Sequence, residues 1–562
     1  MNDGPWVPVP VARGTRGAVV APHHLATAAG LEVLAAGGTA VDAAIATNAV
    51  LAVVMPNGGG IGGDAFWLIW DAREGRQHGL NGSGRAPAAA DRQALVDAGH
   101  RRIPLHGPLA ITVPGAVRSW GDAHDRFGRL SRAAILGPAI DLARGGFPAW
   151  HGLIDAVEVT APKARDALGP SADFLAVYRP HERPWRPGEL VRFKPLAATL
   201  ERLALDGFDA FYEGDLADRQ AVALAEAGSA ISADDLRNHR STWTEPIGFD
   251  YRGVEVTTHA PNSSGVVALE LLSILAGFEP PAPEAFGPAG PVDAGWIHRG
   301  IEAAKLAMAD RDRFLGDPDF VDVPLDRLLD PAYGRELATG IDPERASLPR
   351  RAGHPSEGDT VYMATVDAEG NAVSLIESNY IGFGCLVVDP VTGIHYHDRG
   401  AYFSLEPDHP DRLEPGKRPL HTLLPGMLFR PPGDGPSGAA RAPWIVCGSM
   451  GGDAQPQVFA QVVSALVDGR ADVHAAVSVP RWFVQPPEHF SPPIEVLAEP
   501  RFSPGILEAL AALGHPVREA LPFDGLLGHA HAIELVDGGP AADGGSVAAA
   551  TDPRSAGLPA VR

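Results

Sequence analysis

The stretch GDTVYMATVDAEGNAVS, residues 358–374, places a threonine between Gly358-Asp359 and an apolar, β-branched run. A threonine hydroxyl is a weak nucleophile unless a base lies beside it. One way to supply the base is to make the threonine the first residue of a chain, so that its own α-amine takes the proton. That amine titrates at about 7.7–8.0 in model peptides, so a useful fraction is neutral near pH 7. An internal Thr360 reaches this state if its hydroxyl attacks the carbonyl of Asp359, the acyl group shifts from nitrogen to oxygen, and water releases the new N-terminus. Gly358 gives the backbone freedom to strain ahead of that bond. On the residues alone, Thr360 also reads as an ordinary strand threonine.

Other groupings are chemically suggestive but incomplete. Gly58, Gly60 and Gly63 spell G-x-G-x-x-G, yet the run that follows, DAFWLIWD, has the aromatic and branched character of a strand. A dinucleotide site needs a helix there, with its N-terminus on the pyrophosphate, so the glycines are expected to serve tight turns or close packing. HYHD (395–398) would put His395 and His397 on one face of a strand, and HAH (529–531) offers a second histidine pair. Neither is accompanied by an H-E-x-x-H or C-x-x-C, and satisfied or exposed histidines are the expectation; no metal or cofactor is implied. There is no G-x-x-x-x-G-K-[ST] and no G-x-S-x-G.

The elements that would position Thr360 are legible. Residues 24–55 read as two helices, the first stopped by Gly37-Gly38 and the second N-capped by Thr39, ahead of the glycine loop and the strand DAFWLIWD. Helical pieces are expected within 114–147. PNSSGVVALELLSILAGF reads as a helix capped by Ser263 or Ser264, and WIHRGIEAAKLAMADRDRFLGD as a longer one. After residue 355, TVYMATVD, the turn AEGN and AVSLIES form a hairpin. Further strands are expected at CLVVDP, GIHYH, GMLFR and APWIVCGS, and a helix at PQVFAQVVSALVDG. RPPGDGPSGAARAP reads as a surface loop, and the tail as loose at its end. Strands flanked by helical blocks suit sheets covered by helices.

Composition narrows the partners. The net charge of −23, from 69 acidic and 46 basic residues, excludes a basic surface for nucleic acid or anionic lipid. Two cysteines, Cys385 and Cys447, cannot staple 562 residues, which points to a reducing, cytoplasmic setting. The N-terminus has no secretory h-region, and the longest apolar stretch, AVDAAIATNAVLAVVMP, is too short and polar to span a bilayer.

The wider pattern resembles the γ-glutamyltransferase family of N-terminal nucleophile hydrolases, from about residue 17 to 540. The resemblance rests on GLEVLAAGGTAVDAAIA, GGIGGDAFWLIWD, AITVPGAVRSW, LGPAIDLARGGFP, PNSSGVVALELLSILAGF, GDTVYMATVDAEGNAVS, PGKRPLHTLLPGM and GSMGGDAQPQVFAQVVSALVDG, in family order. It implies an α/β fold, a four-layer α/β/β/α sandwich. It also implies self-cleavage between Asp359 and Thr360 into fragments 1–359 and 360–562 that share one globule. Thr360, seven residues before Asp367, matches the nucleophile. Gly451 and Gly452 match the pair whose N–H groups form the oxyanion hole. Ser378 stands for a threonine whose hydroxyl contacts the nucleophile. His421 and Thr422 replace a serine pair that helps hold the substrate carboxylate.

Departures from the family pattern fall on recognition. The family's carboxylate-binding arginine falls on or near Ser83 in LNGSGRAPAAA, with Arg85 a substitute in another register. The acid that holds the substrate ammonium is absent from DRGAYF (398–403): Ala401 and Tyr402 stand in its place, and Arg399 stands near a family glutamine. Tyr380 replaces an asparagine. An arginine where an acid is missing favours a carboxylate over an ammonium. The implied activity is amide hydrolysis or acyl transfer to water or an amine through acyl-Thr360. The acyl donor carries a carboxylate and is γ-glutamyl, glutaryl or oxamate-like. Structural ion pairing is the other reading of Arg85 and Arg399, and a catalytically silent binding module is the other reading of the chain.

Overall fold

The computed structural model describes residues 11–347, 358–431, 441–485 and 495–562. Strand Asp64–Asp71 is buried at all eight positions, as an apolar run covered on both faces must be. Its even residues Phe66, Leu68 and Trp70 meet Tyr362, Ala364 and Ile376 in one core, and its odd residues Ala65, Trp67 and Ile69 enter another. That alternation is the two-residue period of a strand with a different layer on each side.

Two seven-stranded antiparallel sheets result. The first runs Ala560–Val561, Ala18–Val20, Gly358–Val366, Ala372–Ile381, Asp64–Asp71, Arg76–Gly82, Thr242–Thr244. The second runs Ala12–Gly14, Ser546–Thr551, His529–Val536, Ile445–Met450, Pro425–Phe429, Val254–Thr258, Ile247–Tyr251. Between them lies a core that includes Met427, Val446 and Ile533. Outside the first sheet pack helices His24–Ala35, Ala40–Val54 and Arg132–Gly145; outside the second pack Gly265–Ala276, Ala294–Phe314 and Gln455–Val467. The order is the four-layer α/β/β/α sandwich. Both sheets interleave strands from before and after Thr360.

Helix Ala40–Val54 is buried on every side, and Thr39 caps it in a box with Asp42. The helix Gly265–Ala276 begins after Ser264, but the Ser264 hydroxyl donates to His421 O at 2.8 Å instead of capping. CLVVDP and GIHYH form only isolated bridges, Val388 with His395 and Gly62 with Tyr396. Phe383, Gly384 and Leu386 take φ of 61°, 64° and 68°, which bends the chain out of extended geometry. The tail is not loose: Ala560–Val561 pairs with Ala18 and Val19, and Arg562 N donates to Gly17 O at 2.9 Å. Most of the loop RPPGDGPSGAARAP lies outside the described residues.

Candidate active site

Strand Gly358–Val366 pairs regularly with Ala372–Ile381 from Val366↔Ala372 up to Val361↔Glu377, and the register then shifts between Val361 and Asp359. Thr360 sits in that bulge, where a ladder is locally broken and a side chain is re-aimed. It is 1% exposed, and its Oγ1 donates to Ser378 Oγ at 3.1 Å. Ser378 Oγ also accepts the amide of Tyr380 at 2.7 Å, which anchors that hydroxyl to its own strand. The strand of Thr360 spans Gly358–Val366 and so includes the Asp359–Thr360 peptide bond.

Gly451 and Gly452 follow strand Ile445–Met450 with φ of 134° and 54°, backbone that a side chain disfavours. A Cβ on Gly451 would also stand 3.1 Å from Gly528 Cα. The 3₁₀ turn Gly452–Ala454 packs against the strand of Thr360 and feeds helix Gln455–Val467. Amides at the head of a helix lack intrahelical acceptors and favour negative charge, which suits an oxyanion.

Asp64 is the residue that sequence reading passed over. It is the cross-strand partner of Ser378 and fully buried. Its Oδ1 accepts Gly84 N at 2.9 Å and Gly115 N at 3.1 Å, and its Oδ2 lies 2.9 Å from His421 Nε2 and 3.6 Å from His397 Nδ1. Burial alone would raise its pKa, but His397, His421 and Arg399 outweigh this and hold it near 2. Burial, helped by Arg399, pushes His421 down to about 3 against the pull of Asp64, so His421 is neutral and donates Nε2–H to the carboxylate. Its Nδ1 is then a buried acceptor with no partner among the described residues. The available signal was an acid on an inward-facing position of an apolar strand.

Arg399 is wholly buried in the 3₁₀ turn Arg399–Tyr402. Its guanidinium stands 4.1 Å from the ring centroid of Tyr380 and 5.8 Å from that of Tyr402, and Nη1 donates to Thr422 Oγ1 at 3.4 Å. Nε and Nη2 make no hydrogen bond among the described residues. Tyr402 donates to Asp453 Oδ1 at 2.7 Å, and Arg311 Nη1 donates to the same oxygen at 2.7 Å, leaving Asp453 Oδ2 without a hydrogen bond among the described residues.

Thr360, Ser378, Tyr380, Arg399, Thr422 and His421 thus form one continuous buried cluster. Arg85 stands apart: it is about a third exposed (side chain 32%), and Asp317 at 3.3 Å, Asp319 at 2.8 Å and Gly416 O at 3.0 Å take its guanidinium. The two histidines of HYHD do not share a face. His395 meets Asn379 and Tyr178, while His397 meets Thr112 and Asp64, because the segment is not a strand. His298, Glu302 and His515 also cluster, but as a hydrogen-bonded chain. His515 Nε2 lies 2.7 Å from His298 Nδ1, and Lys305 Nζ occupies Glu302 Oε1 at 2.7 Å, an ammonium where a metal would sit. A separation of 2.7 Å is also shorter than two nitrogens keep around one zinc ion.

A four-layer sandwich with a buried threonine at the bulged end of its central hairpin defines the class, the N-terminal nucleophile hydrolases. The chain belongs to the gamma-glutamyltranspeptidase family, whose model matches residues 26–561. It is 38% identical over 529 residues to the glutathione hydrolase-like YwrD proenzyme of Bacillus subtilis, covering 94% of this chain and 96% of that protein. It is likewise 38% identical over 552 residues to the oxamate amidohydrolase proenzyme of Klebsiella pneumoniae, covering 97% and 98%. A cephalosporin acylase from Bacillus halodurans superposes with a TM-score of 0.88 at 36% identity, covering 100% of this chain and 99% of that one. No helix of the described residues is long and apolar enough to cross a membrane.

Proposed function

We propose that this protein is a self-processing threonine amidohydrolase whose acyl donor carries a carboxylate and no ammonium, with short oxamate-like or glutaryl amides as the favoured class. The observation that carries the specificity is Arg399, a buried cation with two nitrogens making no hydrogen bond among the described residues, beside the nucleophile's own hydrogen-bond chain. Arg399 and Thr422 hold the carboxylate; Arg85, already committed to Asp317 and Asp319, is the lesser candidate.

The chemistry runs in two stages. In the precursor, Thr360 Oγ attacks the Asp359 carbonyl, the Asp359–Thr360 C–N bond breaks to leave an ester, and water cleaves the ester to give the Asp359 carboxylate and a free Thr360 amine. That amine then takes the Thr360 hydroxyl proton as Oγ attacks the donor amide. The oxyanion meets the N–H groups of Gly451 and Gly452, and the amine passes its proton to the departing nitrogen. Water, deprotonated by the same amine, releases the acid. Ser378 orients Oγ throughout. Two buried, unpaired cysteines support a reducing, cytoplasmic setting.

A second reading keeps the γ-glutamyl donor, with its ammonium on Asp453, whose Oδ2 has no hydrogen bond among the described residues and whose Oδ1 accepts from Tyr402, at the place of the missing family acid. Arg311 already neutralises that carboxylate, which favours the first reading. Parallel assays of oxamate, glutaryl-p-nitroanilide and γ-glutamyl-p-nitroanilide separate them: a strong preference for the γ-glutamyl compound would remove the first. An inactive, uncut wild-type protein would leave only a binding module.

A further inference from the structure

Strand Ala372–Ile381 sends Val373 and Leu375 into the helix-side core, and the next residue in that row is an acid, Glu377, 1% exposed. It is the last regular rung before the bulge, directly opposite Val361. The glycine loop after helix Ala40–Val54 closes around its carboxyl. Gly60 N donates to Oε1 at 3.0 Å and to Oε2 at 3.1 Å, and Asn48 Nδ2 donates to Oε2 at 3.2 Å. A Cβ on Gly59 would run into Oε2, and one on Gly63 into Oε1. The spacing that imitates a phosphate cradle therefore holds an internal carboxyl.

The same loop touches the nucleophile. A Cβ on Gly58 would stand 3.2 Å from the carbonyl oxygen of Thr360, and Asn379 N and Phe383 N donate to Gly58 O and Asn57 O at 3.4 and 3.0 Å. We propose that Glu377 is a positioning residue: gripped by the glycine loop, it holds that loop against the Thr360 carbonyl and so sets the bulge from which the Thr360 hydroxyl reaches Ser378. The inference rests on Thr360 being the nucleophile. It concerns the helix-side face of the sheet, opposite to Arg399, so it acts on the chemical step and not on substrate grip. The carboxyl works in its neutral form. Three oxygens, Glu377 Oε1, Ser378 O and Asn379 Oδ1, converge on Gly63, where a Cβ would stand within 3 Å of each; Asn379 Oδ1 lacks a donor among the described residues, and burial pushes Glu377 up to about 8. Asp64 is the charged group that adds to this rise, and His395, beside Gly60, is pushed down to about 4 by burial and stays neutral.

Two substitutions at Glu377 test it. Glu377→Leu should self-cleave slowly and lose about 10- to 100-fold in kcat with KM changed less than about threefold, the pattern of a misplaced nucleophile. Glu377→Gln, which keeps a neutral head able to accept from Gly60 N, should restore most of the loss. A folded Glu377→Leu protein with wild-type kcat and cleavage rate, or one changed only in KM, overturns the proposal. If Glu377→Leu does not fold, Gly59→Ala displaces the carboxyl without deleting it, and an unchanged kcat there overturns it equally. Wild-type protein that neither self-cleaves nor hydrolyses any of the amides would defeat the nucleophile assignment itself, a distinct result.

Discussion

The two faces of strand Ala372–Ile381 differ in what they do with buried polarity. On the inter-sheet face, Ser378 touches Thr360, and its cross-strand partner Asp64 is ionised and held by His421. On the helix face, Glu377 is gripped by a glycine loop and pushed toward neutrality. Both acids are fully buried, yet one sits near 2 and the other near 8. The difference is the company: Asp64 has two backbone N–H donors, a histidine and a nearby arginine, whereas Glu377 has amide donors alone and no cation. Burial penalises charge on both sides, and a dense donor set with a positive field overcomes it at Asp64. One acid keeps its charge within the pocket proposed for recognition; the other gives up its charge within the grip of the glycine loop.

The largest test of this division is Thr360→Ala. It should leave one uncut band on a denaturing gel and lower amide hydrolysis by on the order of 10³-fold or more, with the fold retained by circular dichroism. Arg399→Met comes next. Losing charge-assisted hydrogen bonds of about 1.5–3 kcal/mol should raise KM for a carboxylate-bearing donor about 10- to 100-fold and leave self-cleavage unchanged; Arg399→Lys should not fully restore it, because an ammonium lacks the planar fork. If kcat falls and KM does not, the inter-sheet face is not the recognition face.

Asp64→Asn sharpens the comparison further. It sets an NH₂ group or a lone acceptor against His421 Nε2–H and should lower stability by about 1–3 kcal/mol in denaturant titration, with a matching loss of donor affinity. The most gradual effect concerns pH. Glu377 is raised in the folded chain to about 8 from an ordinary value of 4.5, so the unfolded chain releases its proton first. Its contribution is fully present below about 4.5 and is lost as pH rises through 8. Wild type should therefore lose stability relative to Glu377→Gln between those limits, by about 1.4 kcal/mol per pH unit, and no further above them. A difference that does not change with pH would show that Glu377 is ionised and would remove the contrast with Asp64.

Elements with local signals were legible from residues alone. The hairpin around AEGN, the helix behind Thr39 and the strand DAFWLIWD follow from alternation, capping and turn chemistry acting within a few residues. CLVVDP and GIHYH read as extended from their residue types, but positive φ at Leu386 and at Gly393 bends them. The tail misled because polar, glycine-rich composition says nothing of a sheet edge 540 residues earlier that can still accept a strand; Ala18 and Val561 meet there.

By itself the sequence nominated the machinery through its family pattern: a threonine seven residues ahead of its turn aspartate, the Ser378 hydroxyl and the glycine pair Gly451-Gly452. On residue type and short spacing alone Thr360 also reads as a strand threonine; many short blocks in family order along the chain are what single it out. Only the tertiary structure decided which charges are spoken for. Arg85 and Arg399 are the same residue type in equally suggestive contexts, and folding gives one to Asp317 and Asp319 while leaving the other buried with two nitrogens not engaged in hydrogen bonds among the described residues. Asp64 and Glu377 are two acids on apolar strands, and folding ionises one and neutralises the other. Electrostatic roles depend on every group within a few ångströms in space, and spacing along the chain does not encode that neighbourhood.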